Sequence, residues 1–458
     1  MMNLKFIIKI IECFPRRITR QGVFKGIRWA IGLFVLFMIL QAFFRADLVS
    51  PPATPIFEDR QGVFLTEGAG EYRRLGFWDM PDEIPIRLKE CVLVVEDKRY
   101  YEHMGMDWWS LGRAIYENTF HGDNQGASTI PMQVARLQNP GGRNFFNKLN
   151  EMMIGFFMLV RHGHENVLRH YLKIAPQGNQ VYGFAYASRR FFRKPLQDCS
   201  WAEAALLASL PKSPSEMNLF DYWGFQRAQS RARLILRLLY AQKRIGPEDY
   251  QIALRQLGDM QFQLREKRPE SSYHYILRVI QEYKDQYGAP GGALGVKKPV
   301  RTTIDLEMQS YLAESCSRVI NWLRNLGAGN LSVMVVRRAT GEVLGYIGSA
   351  DYFDDFFDGS INYAATPRSS GSTVKPFLYA LGLESGKFNP GSILADLPFS
   401  IVGPKGEFSL GNFDEEYIGP VLYRRALANS RNIPTMRILE SVGLERAYDF
   451  YRKCGLVR

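Results

Sequence analysis

Residues Trp29 to Phe44 run apolar without a charge, interrupted only by Gln41. Seven basic residues, Lys5, Lys9, Arg16, Arg17, Arg20, Lys25 and Arg28, precede them. This pairing restricts the fold more than any other feature, because it predicts one helix whose surroundings are lipid rather than a protein core. Sixteen helical residues reach about 24 Å, slightly less than the ~30 Å hydrocarbon layer. Arg28 and Arg45 can snorkel to cover the difference. A cleaved export signal is the rival reading, but the basic region is too long for one and no small-x-small cleavage site follows. The expectation is a retained single-pass anchor over 29–45 in the inner (cytoplasmic) membrane. The positive-inside rule then leaves residues 1–28 in the cytoplasm and places everything after Arg45 outside it.

A length of 458 residues suggests roughly two to four domains. The hydrophobic fraction of 46% and aromatic fraction of 13% are ample for packed cores. A net charge of +12 implies an anionic partner, such as lipid headgroups or phosphate. Nucleic acid is not expected, since no recognition motif accompanies the charge. The cysteines (Cys13, Cys91, Cys199, Cys316, Cys454) are scattered and contain no C-x-x-C, which excludes a zinc cluster or a disulfide framework as an organising principle. His162 and His164 lack the i,i+4 spacing of a helical zinc site and read as solvated loop residues, as do His103 and His170.

Segment 46–85 reads as a linker. Ser50-Pro51-Pro52-Ala53-Thr54-Pro55 is an extended spacer, and Phe57 to Leu65 is a short hairpin turning at Gln61-Gly62. From 86 to 250 the pattern is helical. Ser200 with Glu203 predicts a capping box, and Pro211 and Pro214 end the helix it opens. Segment 251–300 is mixed and turn-rich and reads as an interdomain linker. The remainder, 301–458, reads as α+β. Asp305 caps an amphipathic helix with Met308, Leu312 and Val319 on one face. Leu331–Val336 and Val343–Ile347 then form strands around Ala339-Thr340-Gly341.

Two constellations carry chemistry. Apolar Cys91-Val92-Leu93-Val94-Val95 leads into Glu96-Asp97-Lys98-Arg99-Tyr100-Tyr101-Glu102-His103. A carboxylate at the end of such a run is poorly solvated and suited to proton transfer, although an ordinary charged helix end fits equally well. Downstream, Gln125-Gly126-Ala127-Ser128-Thr129 can offer amides and hydroxyls to phosphate or sugar oxygens. Gln133 and Arg136 lie on the helix that follows. In the second constellation, Ser372 stands one helical turn before Lys375, and Ser430-Arg431-Asn432 follows. A serine beside a desolvated lysine is an activated acyl-transfer nucleophile.

These strings resemble two known families joined in one chain. Glu96 to Gly105 resembles the E-D-R-R-F-x-x-H-x-G motif of the peptidoglycan glycosyltransferases (glycosyltransferase family 51). Gly126–Arg136, Asn147–Glu151, Val167–Lys173 and Glu203–Pro211 are similar to that family's next four motifs, in order. With S-x-x-K and S-x-N, the chain resembles a class A penicillin-binding protein. The resemblance implies a mainly α, lysozyme-like glycosyltransferase domain after the transmembrane helix, then a partial α+β, β-lactamase-like transpeptidase domain. Glu96 would be the general base and Glu151 the second carboxylate. Asp97, Lys98, Arg99, His103, Ser128, Thr129, Gln133, Arg136 and Lys148 would bind substrate. The implied partners are lipid II, the nascent glycan strand and β-lactams. No cofactor is required, and no dedicated metal ligands are expected, though a divalent cation (Mg or Mn) can accompany the pyrophosphate.

By the same resemblance Ser372 would be acylated, Lys375 would act as base, Ser430 would relay a proton and Asn432 would hold the substrate amide. K-T-G, the family's third transpeptidase element, does not occur in the 458 residues. The transpeptidase domain is therefore expected to be incomplete and the chain to be a C-terminally truncated form. Five positions depart from the glycosyltransferase motifs: Ala127, Pro131, Asn147, Arg169 and Lys173. The last two add positive charge that could suit a pyrophosphate. A lysozyme-like muramidase and a non-enzymatic envelope scaffold or β-lactam sensor are the other readings.

Overall fold

The computed structural model describes residues 20–68, 74–110, 112–113, 128–142, 144–261, 267–288, 298–403 and 406–456. The basic residues Lys5, Lys9, Arg16 and Arg17, and the loop Gln125-Gly126-Ala127, lie outside these ranges. The chain divides into two compact units, 1–365 and 366–458.

The first unit opens on helix α1 (Arg20–Phe44), whose side chains are described from Arg28 onward. Among the described residues no helix is long and apolar enough to cross a membrane. The outward side chains of α1 are nevertheless apolar: Trp29, Ile31, Leu33, Phe34, Val35, Leu36, Phe37 and Leu40 are all exposed. Strands β1 (Ile56–Glu58) and β2 (Phe64–Glu67) then form an antiparallel hairpin. Asp59 turns it by accepting the amides of Gln61 and Val63 at 2.8 Å, and Gly62 supplies the left-handed φ of 96°. The predicted hairpin is thus present.

Short strand β3 (Leu75–Gly76) precedes the helical core. That core consists of α2 (Ile86–Glu96), α3 (Ile130–Gln138) and the long α4 (Phe145–Ile174). Strand β4 (Val181–Tyr182) pairs in parallel with β3. Helices α5 (Phe184–Phe192), α6 (Trp201–Ser209), α7 (Tyr222–Ala241) and α8 (Pro247–Asp259) complete the bundle. Its centre is α6, buried from Ala202 to Ser209 and packed on α2 and α7. The predicted capping box forms: the Glu203 amide donates to Ser200 Oγ at 3.3 Å and the Ser200 amide to Glu203 Oε2 at 2.8 Å. Gly155 lets α4 approach α3 so closely that an added Cβ would lie 3.1 Å from Pro131.

Three sequence readings change here. Segment 251–300 holds the end of α8 and a further helix, α9 (Tyr273–Tyr287), whose buried residues His274, Tyr275 and Ile276 contribute to a second core. Strand β5 (Val300–Arg301) joins β1 in parallel, making the order β2-β1-β5. Helix α10 (Leu306–Arg324) is capped by Asp305 as expected, but its buried line is Gln309, Cys316 and Ile320. Met308 and Val319 are exposed. A polar residue wins the inner face because Gln309 clamps β-structure: its Nε2 donates to Tyr346 O at 2.8 Å and its Oε1 accepts the Tyr346 amide at 2.8 Å. Strands β6 (Val333–Val336) and β7 (Val343–Ile347) pair antiparallel near the expected positions. Finally, His162, His164 and His170 are not loop residues but lie on α4, which kinks at Gly163 (φ 76°). His164 Nε2 sits 3.1 Å from the His103 carbonyl, and Tyr100 donates its hydroxyl to the His164 carbonyl at 2.7 Å.

The second unit contains α11 (Lys375–Glu384) and β8 (Ile393–Asp396), followed by the hairpin β9 (Phe399–Gly403) and β10 (Gly406–Leu410). Strand β11 (Gly419–Leu422) pairs antiparallel with β8. Helices α12 (Tyr423–Ala428), α13 (Asn432–Val442) and α14 (Leu444–Lys453) follow. Leu378, Tyr379, Leu381, Leu394, Val421 and Ile438 form its core.

Burial pushes the His170 imidazole from 6.5 down to about 4, with Lys173 adding to the effect. The unfolded chain therefore binds this proton more readily than the folded one between those two values. The stabilisation is complete above pH 6.5 and is lost as pH falls towards 4, amounting to about 2–3 kcal/mol. Replacing His170 with Phe should flatten that part of a stability–pH curve measured by urea unfolding; an unchanged slope would show that His170 does not cause it.

Candidate functional site

Helix α2 ends at Glu96, and the next residue does the joining. Asp97 is buried, and its Oδ2 accepts the Ile130 amide at 3.0 Å, at the first turn of α3. A carboxylate there is held by the helix dipole as well as by the hydrogen bond. His103 Nε2 lies 3.0 and 3.1 Å from the two oxygens of the same carboxylate. Thr129, the N-cap of α3, is buried and donates its hydroxyl to Gly105 O at 2.6 Å. Asp97, His103 and Thr129 thus lock the end of α2 to the start of α3. Pro131 fits because it stands in the first turn of α3, where helix amides have no intrahelical partner.

This lock fixes Gln133 beside Glu96. Gln133 Nε2 donates to Glu96 Oε2 at 2.8 Å, and the buried Tyr171 hydroxyl lies 3.4 Å from Gln133 Oε1, which sets the amide's orientation. Arg231 of α7 approaches from the other side, with its guanidinium 3.6 Å from Glu96 Oε1. The Glu96 and Arg231 side chains are only 11% and 13% exposed. Glu96 Oε1 and Arg231 Nε are both buried without a hydrogen-bond partner. Burial pushes the Tyr171 phenol far above its usual range, and the Glu96 charge adds to this.

One turn further along α3, Arg136 stands 4.0 Å from Glu151 Oε2 on α4. Gln133 and Arg136 are three residues apart and so share one helix face, which both carboxylates flank. Burial raises the Glu151 carboxyl, while Arg136 and Lys148 pull it back. Lys148 is exposed, as is Lys98, and Ser128 is half-buried. Arg99 donates to Glu102 at 2.8 Å and lies 3.5 Å from buried Asp107. Arg169 and Lys173 are directed elsewhere. Each is two residues from Tyr171, about 200° around the helix. Arg169 donates to the Pro81 and Asp82 carbonyls, and Lys173 to Asp79 at 2.7 Å. Their charge therefore tethers the 79–82 loop rather than joining Glu96.

In the second unit, Lys375 Nζ donates to Asn432 Oδ1 at 2.7 Å, to Ser430 Oγ at 3.2 Å and to the Ser430 carbonyl. Burial lowers the Lys375 amine, as a proton acceptor requires. Ser372 is exposed on the turn Gly371–Val374 just before α11, and among the described residues no hydrogen bond joins it to Lys375. Ser430 takes a left-handed φ of 51°. That conformation is held through Arg431, which donates to the fully buried Asp396 at 2.8 Å and also to Asp414. Asn412 donates to Asp396 at 2.7 Å and accepts the Asn432 amide at 2.9 Å.

Sequence reasoning missed Arg231, Tyr171, Asp396 and Asn412 as parts of these sites. Arg231 had a legible signal, since it sits at i+3 from Ala228 and i−4 from Ile235, on the buried face of α7. Among the described residues no three His, Cys, Asp or Glu side chains group to hold a metal ion.

The Transglycosylase family model matches residues 65–240, and the penicillin-binding protein transpeptidase domain matches 331–457. The chain belongs to the class A penicillin-binding proteins, which carry these two domains in this order. It is 28% identical over 450 residues to penicillin-binding protein 1C of Escherichia coli, covering 96% of this chain and 55% of that protein. It is also 28% identical to penicillin-binding protein 1B of Vibrio cholerae, over 82% of this chain and 49% of the relative. Penicillin-binding protein 1F of Bacillus subtilis gives 28% identity, with 82% and 52% covered. The chain thus spans about half the length of the curated relatives it matches.

Replacing Asp97 with Ala should cost about 1–3 kcal/mol, because the Ile130 amide and His103 lose their buried partner. Replacing Asp396 with Ala should cost about 3–5 kcal/mol by leaving Arg431 buried with less counter-charge. Chemical unfolding of the two variants measures both; a change below 0.5 kcal/mol, taken as roughly the surface-site range, would refute either role.

Proposed function

We propose that the first unit polymerises lipid II. Glu96 removes the proton from the 4-hydroxyl of the acceptor GlcNAc as that oxygen attacks C1 of the donor MurNAc. The configuration at C1 inverts, and undecaprenyl pyrophosphate leaves with the bonding electrons. Arg136 and Lys148, grouped around Glu151, receive the departing negative charge. The observation that carries this reading is the free, buried Oε1 of Glu96. Its sister oxygen is already held by Gln133, so one acceptor site is left beside the Arg231 guanidinium in a fixed direction. The cationic surround of Glu151 suits an anionic leaving group directly, so a divalent ion (Mg or Mn) would meet the pyrophosphate without a protein cage of its own.

The exposed apolar side chains of α1 and the basic residues before it support an inner-membrane anchor, with the catalytic units outside the cytoplasm. The depressed amine of Lys375, gathered with Ser430 and Asn432, supports a serine acyl-transfer site for stem peptides or β-lactams, with Ser372 as nucleophile. Labelling with a fluorescent penicillin tests it: adduct at Ser372 that disappears in Ser372→Ala supports the site, and no adduct removes it.

Glu96→Gln should lower the rate of glycan-strand formation from lipid II by roughly 10²–10⁴-fold, the contribution of a positioned base. Gel-resolved products of purified lipid II report this. Cleavage of preformed sacculus by the unaltered protein, without strand formation, would instead establish a muramidase. No strand formation by the unaltered protein, with cellular function intact in Glu96→Gln, would favour a scaffold.

A further inference from the structure

The pairing of Arg231 with Glu96 is looser than several other ion pairs in this protein. Lys173–Asp79 and Arg324–Asp354 each close to 2.7 Å, and Arg431–Asp396 to 2.8 Å. Arg231 and Glu96 stop at 3.6 Å, although both are largely buried and on rigid helices. Each also keeps an orphaned polar atom, Nε on the arginine and Oε1 on the glutamate. Buried donors and acceptors are normally satisfied, and two left open on neighbouring side chains mark a place for a third group. A group able to complete both must accept from the guanidinium and donate to the carboxylate. A sugar hydroxyl does both at once.

We propose that Arg231 is a catalytic residue that seats the acceptor hydroxyl together with Glu96. This rests on the polymerase reading and adds to it the means by which the nucleophile is held. The hydroxyl oxygen accepts a hydrogen bond from the guanidinium while its proton points at Oε1. In the transfer that proton passes to Oε1, the oxygen bonds to C1, and the C1–O bond to the pyrophosphate breaks. The guanidinium then holds the negative charge that develops on the attacking oxygen, in a site sheltered from water. Gln133 cannot replace it, because its amide nitrogen is committed to Oε2 and its oxygen faces Tyr171.

Among the described residues, the other groups around Glu96 leave Arg231 as the cation directly facing it. Helix α3 contributes neutral Gln133, with Arg136 turned to Glu151. Helix α4 contributes Tyr171, whose phenol burial keeps neutral. Helix α6 carries one titratable group, Glu203, which pairs with Lys194 at 2.7 Å. The neighbouring Asp97 is engaged by His103.

Steady-state rates on lipid II, measured from pH 5 to 9 for the unaltered protein, Arg231→Gln, Arg231→Lys and Glu96→Gln, test this. Arg231→Gln should lower kcat/KM by roughly 10²-fold, the usual effect of losing one donor to a developing oxyanion. Its acid limb should also move to higher pH, because a carboxylate stripped of a neighbouring cation protonates more easily. Arg231→Lys keeps the charge, so it should restore the acid limb while recovering only part of the rate. A merely structural arginine predicts uniform loss with no pH displacement, and that result, or an Arg231→Gln rate within about threefold of the unaltered protein (well under one such donor), overturns the proposal. Should Arg231→Gln fail to give a cooperative melt, Arg231→Lys decides alone: a full rate, or a rate loss that follows a lowered melting temperature, refutes a donor role, and a reduced kcat/KM with an unchanged melt supports it. Full activity in Glu96→Gln would instead remove Glu96 as the base, and absence of strand formation by the unaltered protein would sink the polymerase reading itself, whatever Arg231 does.

Discussion

The first unit depends on one buried carboxylate whose two oxygens are both taken up by structural bonds. Asp97 receives the first amide of α3 and the imidazole of His103, so it welds the end of one helix to the beginning of another. Everything reactive is placed by that weld. Glu96 is adjacent to it in the chain, and Gln133 and Arg136 stand one and two turns along the helix it holds. A neutral residue at position 97 would leave a helix terminus and an imidazole competing for water in a dry interior. The cost of orienting Glu96 is therefore met during folding, and in the proposed transfer this carboxylate would meet its substrate already aimed.

The same design recurs in the second unit with different residues. Asp396, fully buried, collects Arg431 and Asn412, and these two grip the backbone on either side of Ser430 and Asn432. Ser430 is thereby kept in a left-handed conformation that non-glycine residues seldom adopt. The strained serine and the lysine, whose amine burial lowers, sit side by side with the Arg431–Asp396 ion pair behind them.

Much of this was legible in the sequence where it was local. The capping box at Ser200, the turn at Gln61-Gly62 and the cap at Asp305 each depend on residues within four positions of one another, and each formed as read. The order of the motifs gave the family. What escaped were contacts whose partners lie far apart in the chain. Arg231 reaches Glu96 across 135 positions, since 231 − 96 = 135, and nothing near either residue announces the other. Helix α10 was misread because apolar spacing was taken to outrank a glutamine, whereas two backbone groups of β7 needed that glutamine inside. Arg169 and Lys173 were read by charge alone. Their position on the far side of α4 from Tyr171 decides their role, and a linear motif does not display sidedness between residues chosen one at a time.

Helix α1 is clamped to the body of its unit. Phe43 meets Phe157 edge-on at 5.6 Å, the Arg161 guanidinium covers the Phe43 ring at 4.5 Å, and Arg161 also donates to Asp47. Phe157 and Arg161 belong to α4, the helix that carries Glu151 and Tyr171. With α1 seated in a bilayer as proposed, this joint sets the catalytic groove at a constant elevation and tilt above the lipid plane. A prenylated sugar drifting in that plane would then need to search only in two dimensions, and would always meet the opening from the same side.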